Sequence, residues 1–216
     1  MKKIFFLAAT ASFFAACNNA SKTETAAITE KQSVAETDGT NYGVDSTSLV
    51  TWIGTKPTGQ HTGLFKVNEG SLTVKDNALT GGNFTIDIAS LANLDLAADA
   101  ENKGKLEGHL KSSDFFDAAK YPTAKFEITS VEPFVADRKN KDATHTIKGN
   151  LTLKDSTKNI SFPAKVIVDN KSATATADFK IDRTQWGLNY KGPNNPADWV
   201  ISKDVNIKLS IAATKK

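Results

Sequence analysis

Apolar and polar residues alternate with a period of two through the second half of the chain. In THTIKGNLTLK, residues 144–154, apolar or small side chains occupy one parity and polar side chains the other. This pattern is typical of a strand with one buried face. It recurs at 159–168, 173–182 and 205–211, and the turn residues at 155–158 predict a hairpin between the first two segments. Four consecutive half-buried strands are therefore expected.

A weaker alternation precedes these segments and predicts further short strands. They fall at 50–55, 63–67, 71–75, 84–88 and 124–131. The residues that we interpret as turns between them are Gly70, Asp76–Asn77 and Gly81–Gly82. A helix is predicted over 100–111, with Leu106 and Leu110 on one face. About eight antiparallel strands must pair as two sheets or close into a barrel, and closure removes the exposed edges. The expected class is all-β with one short helix.

The inner face of such a barrel carries an unusual number of small side chains. A barrel of about eight strands is either filled by its own side chains or holds one small ligand. The small inward positions are Gly149, Ala164, Ala173, Ala175 and Ala177. They would leave an apolar space that favours hydrocarbon chains, because each buried methylene contributes roughly 0.8 kcal/mol. They could equally pack beneath larger rings in a solid core, and the pattern leaves both interpretations open.

The first residues, MKKIFFLAATASFFAAC, have the order of a secretory signal. Two lysines precede an apolar run that is shorter than the roughly 20 residues needed to span a bilayer. Cys17 is the only cysteine of the chain. Its position after small residues resembles the lipobox of bacterial lipoproteins, in which the cysteine becomes the lipid attachment site. The alternative is a secreted protein with an unpaired thiol.

These features predict a signal peptide over 1–16 and a flexible tether over 17–40, since that stretch is rich in Thr, Ala, Ser and Glu without a sustained period. The barrel domain is expected over 41–216. The predicted location is the bacterial cell envelope, facing the periplasm or the cell surface, with a membrane contact through the lipid on Cys17.

Charge and candidate chemistry exclude several classes of function. The formal net charge is +3, and removal of residues 1–16 takes away two lysines and no acid. Basic residues are dispersed among acidic ones, so we predict no nucleic-acid binding. His61, His109 and His145 lie in separate segments without metal-ligand spacing, and neither a Gly-x-Ser-x-Gly elbow nor a phosphate loop is present. We predict no metal, no cofactor and no catalytic residue.

Three stretches resemble one family. They are KLEGHLKSSDFFDAAKYPTAKFEITSVEP, IKGNLTLKDSTKNISFPAKV and FKIDRTQWGLNY, and the similarity extends over about 41–212. In this order they resemble the YceI-like family of secreted lipid-binding proteins. The resemblance implies an extended, lipocalin-like antiparallel barrel around a long isoprenoid or similar amphiphile, without catalysis. Trp52 and Lys56 stand near positions where Phe and His are more usual.

The candidate ligand-binding residues are apolar positions on the inferred inner face and in the connecting segments. They are Phe65, Phe84, Ile86, Leu106, Leu110, Phe115, Phe126, Ile128, Ile147, Leu151, Phe162, Ala175, Ala177, Phe179 and Trp186. Phe115 and Phe116 are expected to form either a lid over one end or a plug that belongs to the core. Arg183 is expected to contact the Trp186 ring and close the other end. His109 is expected to anchor its segment to Asp114.

The predicted function is the sequestration or transport of a long apolar or amphiphilic lipid, such as a polyisoprenoid, an isoprenoid quinone or a fatty acid. One alternative is an enzyme or stress-response protein that acts on such a lipid. Another is a solid barrel that serves as an interaction module at the envelope. Pairing of two barrels as a homodimer is left open.

Overall fold

The computed structural model describes residues 23–34, 37–192 and 201–216. The predicted signal peptide and Cys17 lie outside the described residues. Within the described ranges the chain forms ten strands, the helix α1 (Ala100–Lys111) and a 3₁₀ turn (Arg183–Trp186). The strands are β1 (Ala27–Glu30), β2 (Thr40–Val44), β3 (Leu49–Lys56), β4 (Gly59–Lys75), β5 (Ala78–Asn93), β6 (Thr123–Pro133), β7 (His145–Leu153), β8 (Ser156–Val168), β9 (Ser172–Asp182) and β10 (Asp204–Lys215).

Strands β3 to β10 form a closed antiparallel barrel, and β1 and β2 lie outside it. Each barrel strand pairs with the next one along the chain, and β10 pairs with β3 through Leu209 and Val50 to close the wall. Closure leaves no long unpaired edge. The prediction of an all-β, lipocalin-like extended barrel with one short helix is confirmed.

The hairpin of β4 and β5 is much longer than the sequence predicts. The two short strands expected at 63–67 and 71–75 are parts of one 17-residue strand, and Gly70 and Gly81–Gly82 lie inside strands. Reading these glycines as turns is therefore wrong. A Cβ at Gly70 would lie 2.4 Å from the Asn83 carbonyl oxygen, so close backbone approach explains the glycine. The turn at Asp76–Asn77 is confirmed, with φ of 52° and 59°.

Residues 24–30 fill a seam between β8 and β9. The Ala26 amide donates to the Lys180 carbonyl and the Lys180 amide donates to the Glu24 carbonyl, each at 2.8 Å. Strand β1 pairs with β8, with Ala27 opposite Ser161, and Ala26 is buried. The prediction of a solvated tether over 17–40 is wrong for this segment, because its backbone hydrogen bonds pair it with β8 and β9. The part at 17–22 lies outside the described residues.

A polar network on the outside of the barrel holds the next residues in place. Asn150 and Asn159 stand on the polar parity of their strands, yet both are buried. The Asn150 side chain exchanges two hydrogen bonds with the backbone of Gln32, at 2.7 and 3.0 Å. The Asn159 amide donates to Asn150 Oδ1 at 3.1 Å and to Thr129 Oγ1 at 2.9 Å. These bonds satisfy buried polar groups that would otherwise destabilise the fold.

The connection from β5 to β6 carries α1, which lies at one end of the barrel. Asp99 caps the helix, because its side chain accepts a hydrogen bond from the Asn102 amide at 3.1 Å. Leu110 packs against the barrel core. Among the helices of the described residues, none combines the length and the hydropathy needed to cross a membrane.

Candidate functional site

The barrel interior contains a cavity of about 270 Å³ at the end covered by α1. Its described walls are almost entirely apolar. Ten of the predicted ligand-binding residues line it: Phe65, Phe84, Ile86, Leu106, Leu110, Phe115, Phe126, Leu151, Phe162 and Phe179. The alternation of inward and outward side chains along β4 to β9 brings most of these residues together. The interior is therefore hollow at this end.

The other five predicted residues do not line this cavity. Ile128, Ile147, Ala175 and Ala177 line a second cavity of about 30 Å³. Trp186 is absent from the described walls of both cavities. It is buried, and its indole N–H donates to the Leu151 carbonyl at 2.9 Å.

The small side chains do not create the larger space. Ala164, Ala175 and Ala177 border the smaller cavity. Gly149 lies beneath the ring of Phe126, since a Cβ there would be 2.2 Å from Cζ of that ring. Of the two interpretations that the pattern leaves open, the one in which these residues create the main apolar space does not account for the larger cavity. The larger cavity is instead surrounded by Phe, Ile, Leu and Val side chains that do not meet across the barrel.

Several wall residues are absent from the predicted set. They are Val50, Trp52, Ile88, Phe116, Ala124, Leu153, Ile160, Ile181, Leu188, Ile201, Val205, Ile207 and Leu209. Five of them could have been predicted from the alternation in β3 and β10, where every second side chain points inward. These five are Val50, Trp52, Val205, Ile207 and Leu209. No periodic pattern marks Leu188 or Ile201, which lie between the 3₁₀ turn after β9 and the start of β10.

Polar side chains gather at the mouth of the cavity. Lys56 is exposed at the end of β3, and His61 on β4 lies beside it in the cavity wall. His61 Nδ1 is 2.8 Å from Asp95 Oδ2. Partial burial raises the pKa of Asp95, but hydrogen bonds from the Thr62 amide, His61 and Asn93 outweigh it and lower the pKa to about 2. Asp95 is therefore a charged partner that fixes His61 at the rim.

His109 on α1 is a further polar residue of the cavity wall. Its Nε2 is 3.2 Å from Asp114 Oδ2, which confirms the predicted anchoring contact. The imidazole packs edge-on against the rings of Phe115 and Tyr190, with centroids 5.3 and 4.5 Å away. These contacts join the helix to the segment that follows β9.

Arg183 is buried in the cavity wall and binds a set of backbone carbonyls. Its Nε donates to Ser202 at 3.0 Å, and Nη2 donates to Tyr190 at 3.0 Å and to Ile201 at 3.1 Å. Nη1 donates to the Leu188 carbonyl. Burial lowers the pKa of the guanidinium, and the nearby Asp182 raises it in part. The side chain thus ties two separate segments to the end of β9.

The prediction that Arg183 contacts the Trp186 ring is wrong. The guanidinium lies over Phe115, 5.8 Å from the ring centroid. Phe115 follows α1, so Arg183 lies at the same end of the barrel as the helix and does not close the opposite one. Arg183 and Phe115 together form one side of the mouth.

Comparison with known proteins identifies the family of this barrel. The family model for the YceI-like domain matches residues 34–213. The chain belongs to the YceI-like family. The predicted resemblance is confirmed, and the matched range begins ahead of β2.

Other members of this YceI-like group are moderately similar in sequence. A UPF0312 protein from Azotobacter vinelandii is 34% identical over 96 residues, which cover 42% of this chain and 47% of that protein. A UPF0312 protein from Photorhabdus laumondii is 29% identical over 151 residues, which cover 69% and 64%. The chain thus spans between about half and two thirds of the length of these curated relatives.

Two solved structures share the fold. Burkholderia cenocepacia BcnA superposes with a TM-score of 0.62 at 22% identity, over 79% of this chain and 99% of that one. A polyisoprenoid binding domain from Saccharophagus degradans, implicated in plant cell wall breakdown, gives 0.57 at 15% identity, over 81% and 98%. At these identities the comparison establishes the architecture of the YceI-like barrel.

The tandem phenylalanines after α1 line the cavity of this YceI-like domain. Phe115 is buried and Phe116 is half-buried. The Phe116 ring meets Phe65 edge-on at 5.4 Å. The site therefore combines an apolar interior, two aromatic rings from the segment after α1 and a rim with basic side chains. Within the described part of the chain, no group of three or more His, Cys, Asp or Glu is placed to hold a metal ion.

Proposed function

We propose that this YceI-like domain sequesters or carries a lipid with a long apolar tail, of the polyisoprenoid, isoprenoid quinone or fatty-acid class. The observation that supports this most directly is the apolar cavity of about 270 Å³ inside the barrel. Apolar ligand sites of proteins have about 300–1,000 Å³, so this cavity is close to that range. The solved domain from S. degradans is named for polyisoprenoid binding, which agrees with a tail of this class.

The size of the cavity limits how much of a tail it holds. A methylene group needs about the volume of a water molecule, roughly 30 Å³, so the cavity accommodates about nine methylene groups. At roughly 0.8 kcal/mol each, they contribute about 7 kcal/mol. Association costs 4–15 kcal/mol or more. A tail alone therefore binds weakly, and contacts at the rim or a longer path are needed for tight binding.

The rim supplies contacts that suit a polar head group. Lys56, His61 and His109 stand at the mouth. Apart from Thr55, Arg183 and the indole of Trp52, the other described wall residues offer only apolar side chains. An amphiphile would place its tail inside and its oxygen-rich head between these basic side chains. Interactions of this kind fix the orientation of a ligand in an otherwise apolar site.

We also propose that the domain acts as a binding protein of the bacterial cell envelope, and not as an enzyme. The signal-like start and the cysteine at position 17 support a lipid anchor in the membrane. Among the described residues that line the cavity, the candidate bases and nucleophiles are Thr55, Lys56, His61 and His109, and no acidic residue, serine or cysteine accompanies them. The binding role needs only the hollow interior.

Organic extraction of the purified protein tests the ligand proposal. The full chain is expressed in a bacterium and purified without detergent, and the extract is analysed by mass spectrometry. We expect an intact lipid with an apolar tail, in an amount comparable to that of the protein. A chemically altered lipid would favour an enzyme, and an extract without lipid, followed by failure to bind added fatty acid, would contradict the proposal.

Replacement of the cysteine tests the anchor. Cys17→Ser is expected to move the full-length protein from the membrane fraction to the soluble fraction, because the thiol that carries the lipid is lost. Ser21→Ala is a control in the same stretch and is expected to stay with the membranes. Intact-mass measurement checks the modification directly. A wild-type protein without added lipid mass would refute the anchor and leave the ligand proposal standing.

A further inference from the structure

Three phenylalanine rings separate the two cavities of the barrel. Phe84, Phe126 and Phe162, together with Leu209, line both the larger cavity and the smaller one. The ring of Phe126 is central, since its centroid is 5.3 Å from that of Phe84 and 5.9 Å from that of Phe162. We call these three rings the aromatic partition. It forms the floor of the larger cavity.

Phe162 is the firmly held member of the partition. It stacks on Phe179 with centroids 4.1 Å apart and planes inclined by 10°. Phe126 makes only tilted contacts with its two neighbours, at interplanar angles of 34° and 44°. The tip of its ring lies in the space that Gly149 leaves free. The position of the Phe126 ring therefore decides whether the partition is closed.

The space beyond the partition is apolar, like the larger cavity. It holds about 30 Å³ and is bordered by apolar side chains and Thr176, with small residues at 164, 175 and 177. By itself it accepts no more than about one methylene group. Joined to the larger cavity through the place of the Phe126 ring, it would extend the path for a tail toward the opposite end of the barrel.

We infer that the aromatic partition sets the length of tail that the barrel encloses, with Phe126 as the length-determining residue. This inference rests on the proposed lipid-binding function. A tail that reaches the partition has filled the cavity, and additional methylenes remain in water at the mouth. Affinity then rises with chain length to a cut-off and stays constant beyond it.

A series of linear fatty acids tests this inference. Dissociation constants are measured for each acid from octanoate to stearate with delipidated protein. For the wild type we expect the dissociation constant to fall about fourfold for each added methylene, until the tail reaches the partition. For Phe126→Ala we expect the cut-off to move to longer acids, so that stearate gains affinity relative to decanoate.

Phe65→Ala is the matched control, because Phe65 lines the larger cavity but is not part of the partition. It is expected to raise the dissociation constants of the acids without moving the chain length at which the cut-off occurs. Circular dichroism and thermal unfolding verify that each variant is folded. If the alanine variant does not fold, Phe126→Leu replaces it, because leucine retains a branched apolar side chain. The cut-off is expected to move to longer acids in this variant too.

The outcomes separate this inference from the function on which it rests. If no acid binds to the wild type, the lipid-binding proposal fails and the inference falls with it. If the acids bind but affinity rises through stearate without a cut-off, the partition does not limit length. The same conclusion follows if folded Phe126 variants keep the wild-type cut-off. In these two cases the inference is overturned while lipid binding stands.

Discussion

Replacing Arg183 with methionine is expected to destabilise the domain by about 3–5 kcal/mol. The guanidinium donates to the carbonyls of Leu188, Tyr190, Ile201 and Ser202, and methionine offers no donor to any of them. Those carbonyls would lose charge-assisted hydrogen bonds in a buried site, and the segments that carry them would separate from β9. Urea unfolding followed by tryptophan fluorescence measures the change in the free energy of unfolding.

Arg138→Met is the matched control for this prediction. Arg138 is exposed in the connection between β6 and β7, and substitutions at such positions change stability by less than about 0.5 kcal/mol. An Arg183→Lys variant is expected to be intermediate, since one ammonium group cannot reach acceptors on two sides of a planar fork. Equal stability of the Arg183 and Arg138 methionine variants would show that the carbonyl network contributes little.

The role of Arg183 also shows where sequence reasoning reaches its limit. Alternation in β7 to β10 predicts those strands and their inward faces because each strand has one buried side. The partners of Arg183 lie after the 3₁₀ turn that follows β9 and just ahead of β10, where no periodic pattern exists. The sequence suggests a ring beside Arg183, but the neighbouring Trp186 is turned inward by its bond to the Leu151 carbonyl. The ring that the guanidinium contacts is instead that of Phe115, which is distant in the sequence.

The same limit applies to β1 and to the cavity. Residues 24–34 are mostly polar, with scattered aliphatic residues and no sustained alternation, and they are ordered by backbone pairing with β8 and β9 and by the buried Asn150. Such pairing leaves no mark in hydropathy. The inward parity of Phe84, Phe126 and Phe162 is readable from the sequence. Which inward side chains leave a space depends on how far strands on opposite sides of the barrel stand apart, and that distance is set by the closed fold as a whole.

The second large effect that we expect concerns Phe115, which would cover a lipid bound in the cavity and slow its release. Phe115 is held by His109 and Tyr190, with ring centroids 5.3 Å away in both cases, and by the Arg183 guanidinium above it. These groups come from α1 and from the segment after β9, which meet at this ring. An aromatic side chain in this position would separate a bound tail from water at the mouth.

Phe115→Ala is expected to speed dissociation of a bound fatty acid by at least about tenfold, because the tail loses contact with a ring whose burial contributes roughly 1.5–3 kcal/mol. Stopped-flow transfer of a fluorescent fatty acid from the protein to lipid vesicles measures the rate. Phe134→Ala removes a half-buried ring outside the described cavity walls and is expected to leave the rate unchanged. If a stably folded Phe115→Ala variant released the acid at the wild-type rate, the ring would be a structural plug. Ligand would then have to leave by another path, and the seam between β8 and β9, where β1 makes only four residue pairs with β8, is a candidate.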